Sequence, residues 1–200
     1  MQGETRLMSD KAMTIPAVVI DRLVRGRAAA NMLLVIGASL FIAIAAQVAI
    51  PLPFTPVPLT LQPLAVILVG VALGSTRGAA AAALYLLEGF SGLPVFAQGH
   101  GGPAWLLGPT AGYLFSYPLA AWVAGFVSER GWGSSIVRAI SGMLLALGVI
   151  YAGGWAWLAA LTNPSYAFTA GVAPFILADL VKVGIGAALL PKAQKLIGRI

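Results

Sequence analysis

Residues 174–191, PFILADLVKVGIGAALLP, constrain the fold more than any other stretch. They form an apolar run of membrane-helix character that holds one acid, Asp179, and one base, Lys182. Side chains three apart share a face of a helix. At the centre of a membrane helix each charge costs about 2.5–3.5 kcal/mol on insertion scales, so such groups turn inward and pair. A buried ion pair is a weak stabiliser. The pair either clasps two helices together or serves a site, and intramembrane charges favour the site. The rest of the chain must supply the bundle that hides it.

Composition agrees with a bundle. The 200 residues are 60% hydrophobic and 9% charged, which excludes an ordinary soluble domain. A spanning helix needs about 20 apolar residues. The continuous rather than alternating apolar segments exclude a membrane barrel. The expected fold class is an all-α membrane protein of six transmembrane helices, with residues 28–200 as the membrane domain. Residues 1–27 are expected to be a polar tail or a short surface helix. With no cysteine and one histidine, disulfides, thiolate chemistry and a multi-histidine metal site are excluded, and no cofactor is implied.

The spans read as about 28–50, 59–73, 79–90, 109–127, 136–153 and 174–191. The first carries Ser39, Ala43 and Ala46, a small-residue face that lets another helix approach closely. PLPFTPVPLTLQP (51–63) has five prolines and no charge, so it is expected to be an ordered, extended loop at the membrane boundary. Residues 91–108, SGLPVFAQGHGGPAWLLG, interleave glycine, proline and aromatics, a composition that suits a loop folded back over a cavity. Residues 154–170 hold two tryptophans and a tyrosine, as in an interfacial belt or partial lid. Glu88, at the end of the third span, is expected to reach headgroup water.

Charge placement sets orientation. Eleven of the twelve Lys and Arg fall in the two tails and at Arg77, Arg130 and Arg138, all on one side of a six-span topology. By the positive-inside rule both termini are cytoplasmic. The net charge of +6 therefore reflects membrane orientation, not nucleic-acid binding. The twelfth cation is Lys182. Asp179 lies roughly 10 Å below the outer end of its helix at 1.5 Å per residue. A loop-roofed, outward-facing pocket with a charged pair at its floor is the expected site.

No lysine is followed by Ser or Thr, so no phosphate-cradling GxxxxGK[ST] loop exists, and HExxH and GxSxG are also missing. Ser91 and His100 occupy one loop, an unsuitable frame for a serine–histidine hydrolase. His100, flanked by Gly99, Gly101 and Gly102 in the roofing loop, is either a ligand contact or a backbone-bonded loop histidine.

PVPLTLQP (56–63), YLLEGFSGLPVFAQGHGG (85–102), LLGPTAGY (106–113) and PFILADLVK (174–182) together resemble BioY, the biotin-specific S component of energy-coupling factor (ECF) transporters. The resemblance runs from the first span to the C-terminus. It implies a six-helix S-component fold in a bacterial inner (plasma) membrane and capture of biotin from outside. It also implies a non-enzymatic role and docking onto a transmembrane T component with two cytoplasmic ATPases. The family's D-x-x-K falls on Asp179 and Lys182, and its loop glutamine on Gln62. Where its roofing loop often offers an amide, this chain has His100. Ser39, Ala43 and Ala46 fall where S components face the T component. A ureido head offers N–H groups to Asp179 and a carbonyl oxygen to Lys182, while Tyr85, Phe96, Trp105 and Tyr113 are candidates to wall the ring. The alternatives are an S component or facilitator for another small vitamin, or a membrane enzyme using Asp179 as acid or base.

Overall fold

The computed structural model describes residues 28–197, with side chains up to Ala188 except that of Ser134. The tail or surface helix expected over 1–27 and Arg199 lie outside what is described, as do the side chains of Lys192 and Lys195. Among the described residues there are seven α-helices: α1 (Ala28–Gln47), α2 (Gln62–Leu73), α3 (Ser75–Phe90), α4 (Ala111–Glu129), α5 (Ile136–Leu161), α6 (Pro164–Gly171) and α7 (Ala173–Ile197). A two-residue antiparallel pair, β1 (Ala49–Ile50) with β2 (Leu59–Thr60), closes the proline-rich loop at its base. By length and composition α1 and α5 each suffice to cross a membrane, and α6 with α7 makes a third such stretch, bent by 41° at its break.

The helix ends follow local chemistry. Pro63 sits in the first turn of α2, where its missing N–H costs nothing. A single residue, Gly74 at φ 84°, joins α2 to α3, so Arg77 lies in the first turn of α3 rather than in a loop. The Ser75 N–H at that start donates to Glu129 at the end of α4 (2.7 Å). Asn163 caps α6 by accepting from the Tyr166 N–H (2.9 Å), with Pro164 directly behind it.

α4 lies at the centre, packed on α2, α3 and α5. Close approach is bought with glycine. A Cβ on Gly70 would strike the Ala121 backbone, and one on Gly125 would strike Gly74 and Ser75. This spacing also corrects the fifth span. It was expected to end at Gly153, with a belt or lid over 154–170, but α5 continues to Leu161 and α6 follows. Gly153 and Gly154 are packing positions: a Cβ on the first would hit Gly112 and Ser116, and on the second the Tyr113 ring.

The apolar surface is turned outward on α1 and α7. Leu33, Leu40 and Ile44 are exposed on α1, as are Leu177, Val181 and Ile185 on α7. The opposite stripe of α7 holds Phe175, Asp179, Val183 and Ala187, four residues apart and all buried. Lipid-facing outside and polar-bearing inside is the arrangement a membrane bundle needs.

The small-residue face of α1 packs within the chain. Ser39, Ala43 and Ala46 are buried within the chain, and α1 packs on α3. The Ser39 hydroxyl donates to Glu88 Oε1 (2.9 Å). Glu88 therefore turns into the α1–α3 seam instead of reaching headgroup water. The physical reason is shared: a carboxyl one helix away gives the small face an internal partner.

Candidate functional site

The site begins with the two charges of α7. Asp179 is 3% exposed. Its Oδ1 accepts from Lys182 Nζ at 2.7 Å and its Oδ2 from the Tyr151 hydroxyl of α5 at 2.6 Å. Lys182 Nζ donates a second hydrogen bond, 2.7 Å long, to the Thr60 carbonyl of β2. An ammonium has three N–H donors, and each carboxylate oxygen has two lone pairs. One donor on Lys182 and one lone pair on each oxygen of Asp179 therefore remain for a ligand.

Those groups border a cavity whose space, open solvent at its mouth included, is about 560 Å³. Val57, Pro58, Leu59 and Thr60 come from the proline-rich segment, and Gln62 and Pro63 from the start of α2. α4 contributes Tyr113, Leu114 and Tyr117, α5 contributes Ile150 and Tyr151, and Phe175 joins the charged pair from α7. Ala97 and Trp105 come down from the 91–108 loop, which folds back over the cavity as its composition implied.

Of the residues singled out from the sequence, Asp179, Lys182, Gln62, Tyr113 and Trp105 line this cavity. Tyr113 is seated in a slot made by Gly154 and Gly171, and its hydroxyl donates to the Gly171 carbonyl (2.6 Å). Gln62 is aimed by two neighbours: the Thr60 hydroxyl donates to its Oε1 (3.2 Å), and its Nε2 donates to the Tyr85 hydroxyl.

Tyr85, Phe96 and His100 stand one layer back. Tyr85 is fully buried and donates to the Val95 carbonyl (3.1 Å), tying the roof to Gln62. Phe96 is also fully buried, edge-on to Tyr85 with centroids 5.5 Å apart, and its ring fills the space a Cβ on Gly89 would need. Neither is a wall of the cavity.

His100 is exposed. Its Nδ1 lies 2.8 Å from the Ala97 carbonyl, and its ring stacks on Trp105 at 4.0 Å. It reaches the cavity only through that indole. The glycines beside it close the loop: the Gly102 N–H donates to the Gly89 carbonyl (2.7 Å), and a Cβ on Gly101 would strike the Leu93 carbonyl. Ser91 donates to the Glu88 carbonyl (2.7 Å), so it makes no pair with His100.

Sequence reasoning passed over Thr60, Tyr117, Tyr151 and Phe175. Two of these were legible as helical phase, since Phe175 is i−4 from Asp179 and Tyr117 is i+4 from Tyr113. Tyr151 carried no such signal, because its partner lies 28 residues away.

Comparison with known proteins agrees with this geometry. The BioY family model matches residues 12–199. The chain is 42% identical over 139 residues to a probable biotin transporter BioY of Pyrococcus horikoshii, covering 70% of this chain and 82% of that one. It is 38% identical over 148 residues to the biotin transporter BioY of Thermotoga maritima, covering 74% and 86%. Its fold matches the crystal structure of the S component for biotin from an ECF-type ABC transporter with a TM-score of 0.70 and 25% identity, over 82% of this chain and 90% of that one. A family match over nearly the whole length, with the acid and base of α7 set in one cavity, places the chain in the BioY family.

Proposed function

We propose that this protein is the biotin-binding S component of an ECF-type importer. The observation that carries the reading is the floor of the cavity, where Asp179 and Lys182 hold each other yet retain an acceptor and a donor. A ureido group has the complementary set, two N–H donors and a carbonyl oxygen. Asp179 accepts from ureido N–H, and Lys182 donates to the oxygen. Gln62 supplies its second amide N–H, and Tyr113 and Trp105 wall the thioether ring. Tyr85, Phe96 and His100 hold the walls from behind. A head met by buried charges is selected strongly, because an analogue without the matching groups leaves them unpaired.

In this reading the chain crosses a bacterial inner membrane six times, with both termini in the cytoplasm and the 51–63, 91–108 and 162–163 connections outside. Import requires a transmembrane T component and two cytoplasmic ATPases, since the chain has no nucleotide loop of its own. The ligand leaves unchanged, and the chain performs no catalysis. A thermal-shift panel on the purified protein tests the assignment. Biotin should raise the melting temperature, and go on raising it with the logarithm of its concentration above the dissociation constant, and thiamine, riboflavin and folate should not. Stabilisation by one of those vitamins and not by biotin would reassign the substrate.

A further inference from the structure

Tyr117 is a deeply buried polar residue of the cavity. It is 3% exposed and lines the cavity, yet its hydroxyl has no hydrogen-bond partner among the described residues. It is also not among the polar atoms walled off without a partner. A buried tyrosine normally finds a partner for its hydroxyl. Tyr85, Tyr113 and Tyr151 all do so, through Val95, Gly171 and Asp179. The hydroxyl of Tyr117 therefore faces the open space.

It lines the same cavity as the charged floor. Tyr117 is six residues into α4 from Ala111, and Asp179 is six residues into α7 from Ala173, each roughly 9 Å below its helix start. A hydrogen bond from Tyr113 to the Gly171 carbonyl links the beginning of α4 to the residues just before α7. A carbonyl oxygen accepts two hydrogen bonds, and Lys182 has only one donor to spare.

We propose that Tyr117 is a specificity-determining contact of the substrate's ureido carbonyl, its hydroxyl donating the second hydrogen bond beside that of Lys182. The inference rests on the biotin reading and deepens it: the site then requires an oxygen acceptor at the head, and tolerates poorly a head whose acceptor is weak.

The test combines Tyr117→Phe in the full chain with 2-thiobiotin, in which sulfur replaces the ureido oxygen. The expected result is biotin binding weakened about three- to tenfold by Tyr117→Phe. The loss from oxygen-to-sulfur exchange should be smaller in the variant than in the wild type, so that the two changes do not add. The ligand-free melting temperature should stay at the wild-type value, because the hydroxyl holds no other part of the protein. Wild-type-like biotin binding by Tyr117→Phe, strictly additive effects, or a lowered ligand-free melting temperature would each overturn the proposal while leaving the biotin reading intact. No biotin binding by the wild type would overturn both.

Discussion

Asp179 and Lys182 face two demands at once, since they satisfy each other and still present hydrogen-bonding capacity to a cavity. Stability and binding should therefore separate. Replacing one partner strands a buried charge, at a cost of about 3–5 kcal/mol, whereas replacing both with apolar residues of similar size is often neutral or stabilising. Asp179→Leu combined with Lys182→Met is expected to melt at or above the wild-type temperature while losing biotin binding altogether. Chemical or thermal denaturation beside a binding assay reads both. A double variant that unfolds would make the pair a structural clasp. Tyr151→Phe removes one of the two internal donors to Asp179. It should weaken binding by about 1–2 kcal/mol through a carboxylate that is no longer held in place, and wild-type affinity in that variant would show that Lys182 alone orients the acid.

Among the elements, the packing of α4 on α5, with Gly171 at the end of α6, positions the aromatic wall. Tyr113 occupies its slot only because residues 154 and 171 lack a Cβ. Gly154→Ala should push the ring toward the cavity, lowering stability by about 1–3 kcal/mol and weakening binding together. A stability loss with unchanged affinity would show that the wall is not part of the site. The proline-rich segment is pinned at its tip, where the Thr55 hydroxyl donates to the Ala170 carbonyl (2.7 Å) and accepts from the Val57 N–H (3.1 Å). Thr55→Val keeps the shape and removes both bonds. It is expected to speed biotin release about two- to tenfold in stopped-flow measurements, and an unchanged off-rate would mean that the strap does not gate the cavity.

These elements also show what the sequence could reveal. The roofing loop, the ordered proline-rich segment and the inward face of α7 were readable because proline, glycine and a lone charge pair each permit few environments. The end of α5 was not, since Gly153-Gly154 signals a helix stop as readily as a close helix crossing. His100 was only half legible for a similar reason: its flanking glycines serve backbone closure, and stacking on Trp105 leaves no mark in the sequence. The small face of α1 was visible as a face, but what covers it, Glu88 of α3, depended on tertiary placement.

At the scale of the whole molecule, the sharp asymmetry of Lys and Arg fixes an expected orientation, and the absence of cysteine makes it easy to test. Leu107→Cys, 70% exposed in the 91–108 loop, should react in intact cells with a membrane-impermeant maleimide. Ser9→Cys, before the first helix, should react only after lysis, and the opposite pattern would invert the topology. One equilibrium underlies the function, biotin entering a cavity floored by an acid and a base. Titration calorimetry of biotin into the purified, full-length protein should give saturable one-to-one binding that Asp179→Asn and Lys182→Ala each weaken by a kcal/mol or more. Absence of saturable heat with the wild type, or equal affinity in all three proteins, would contradict it.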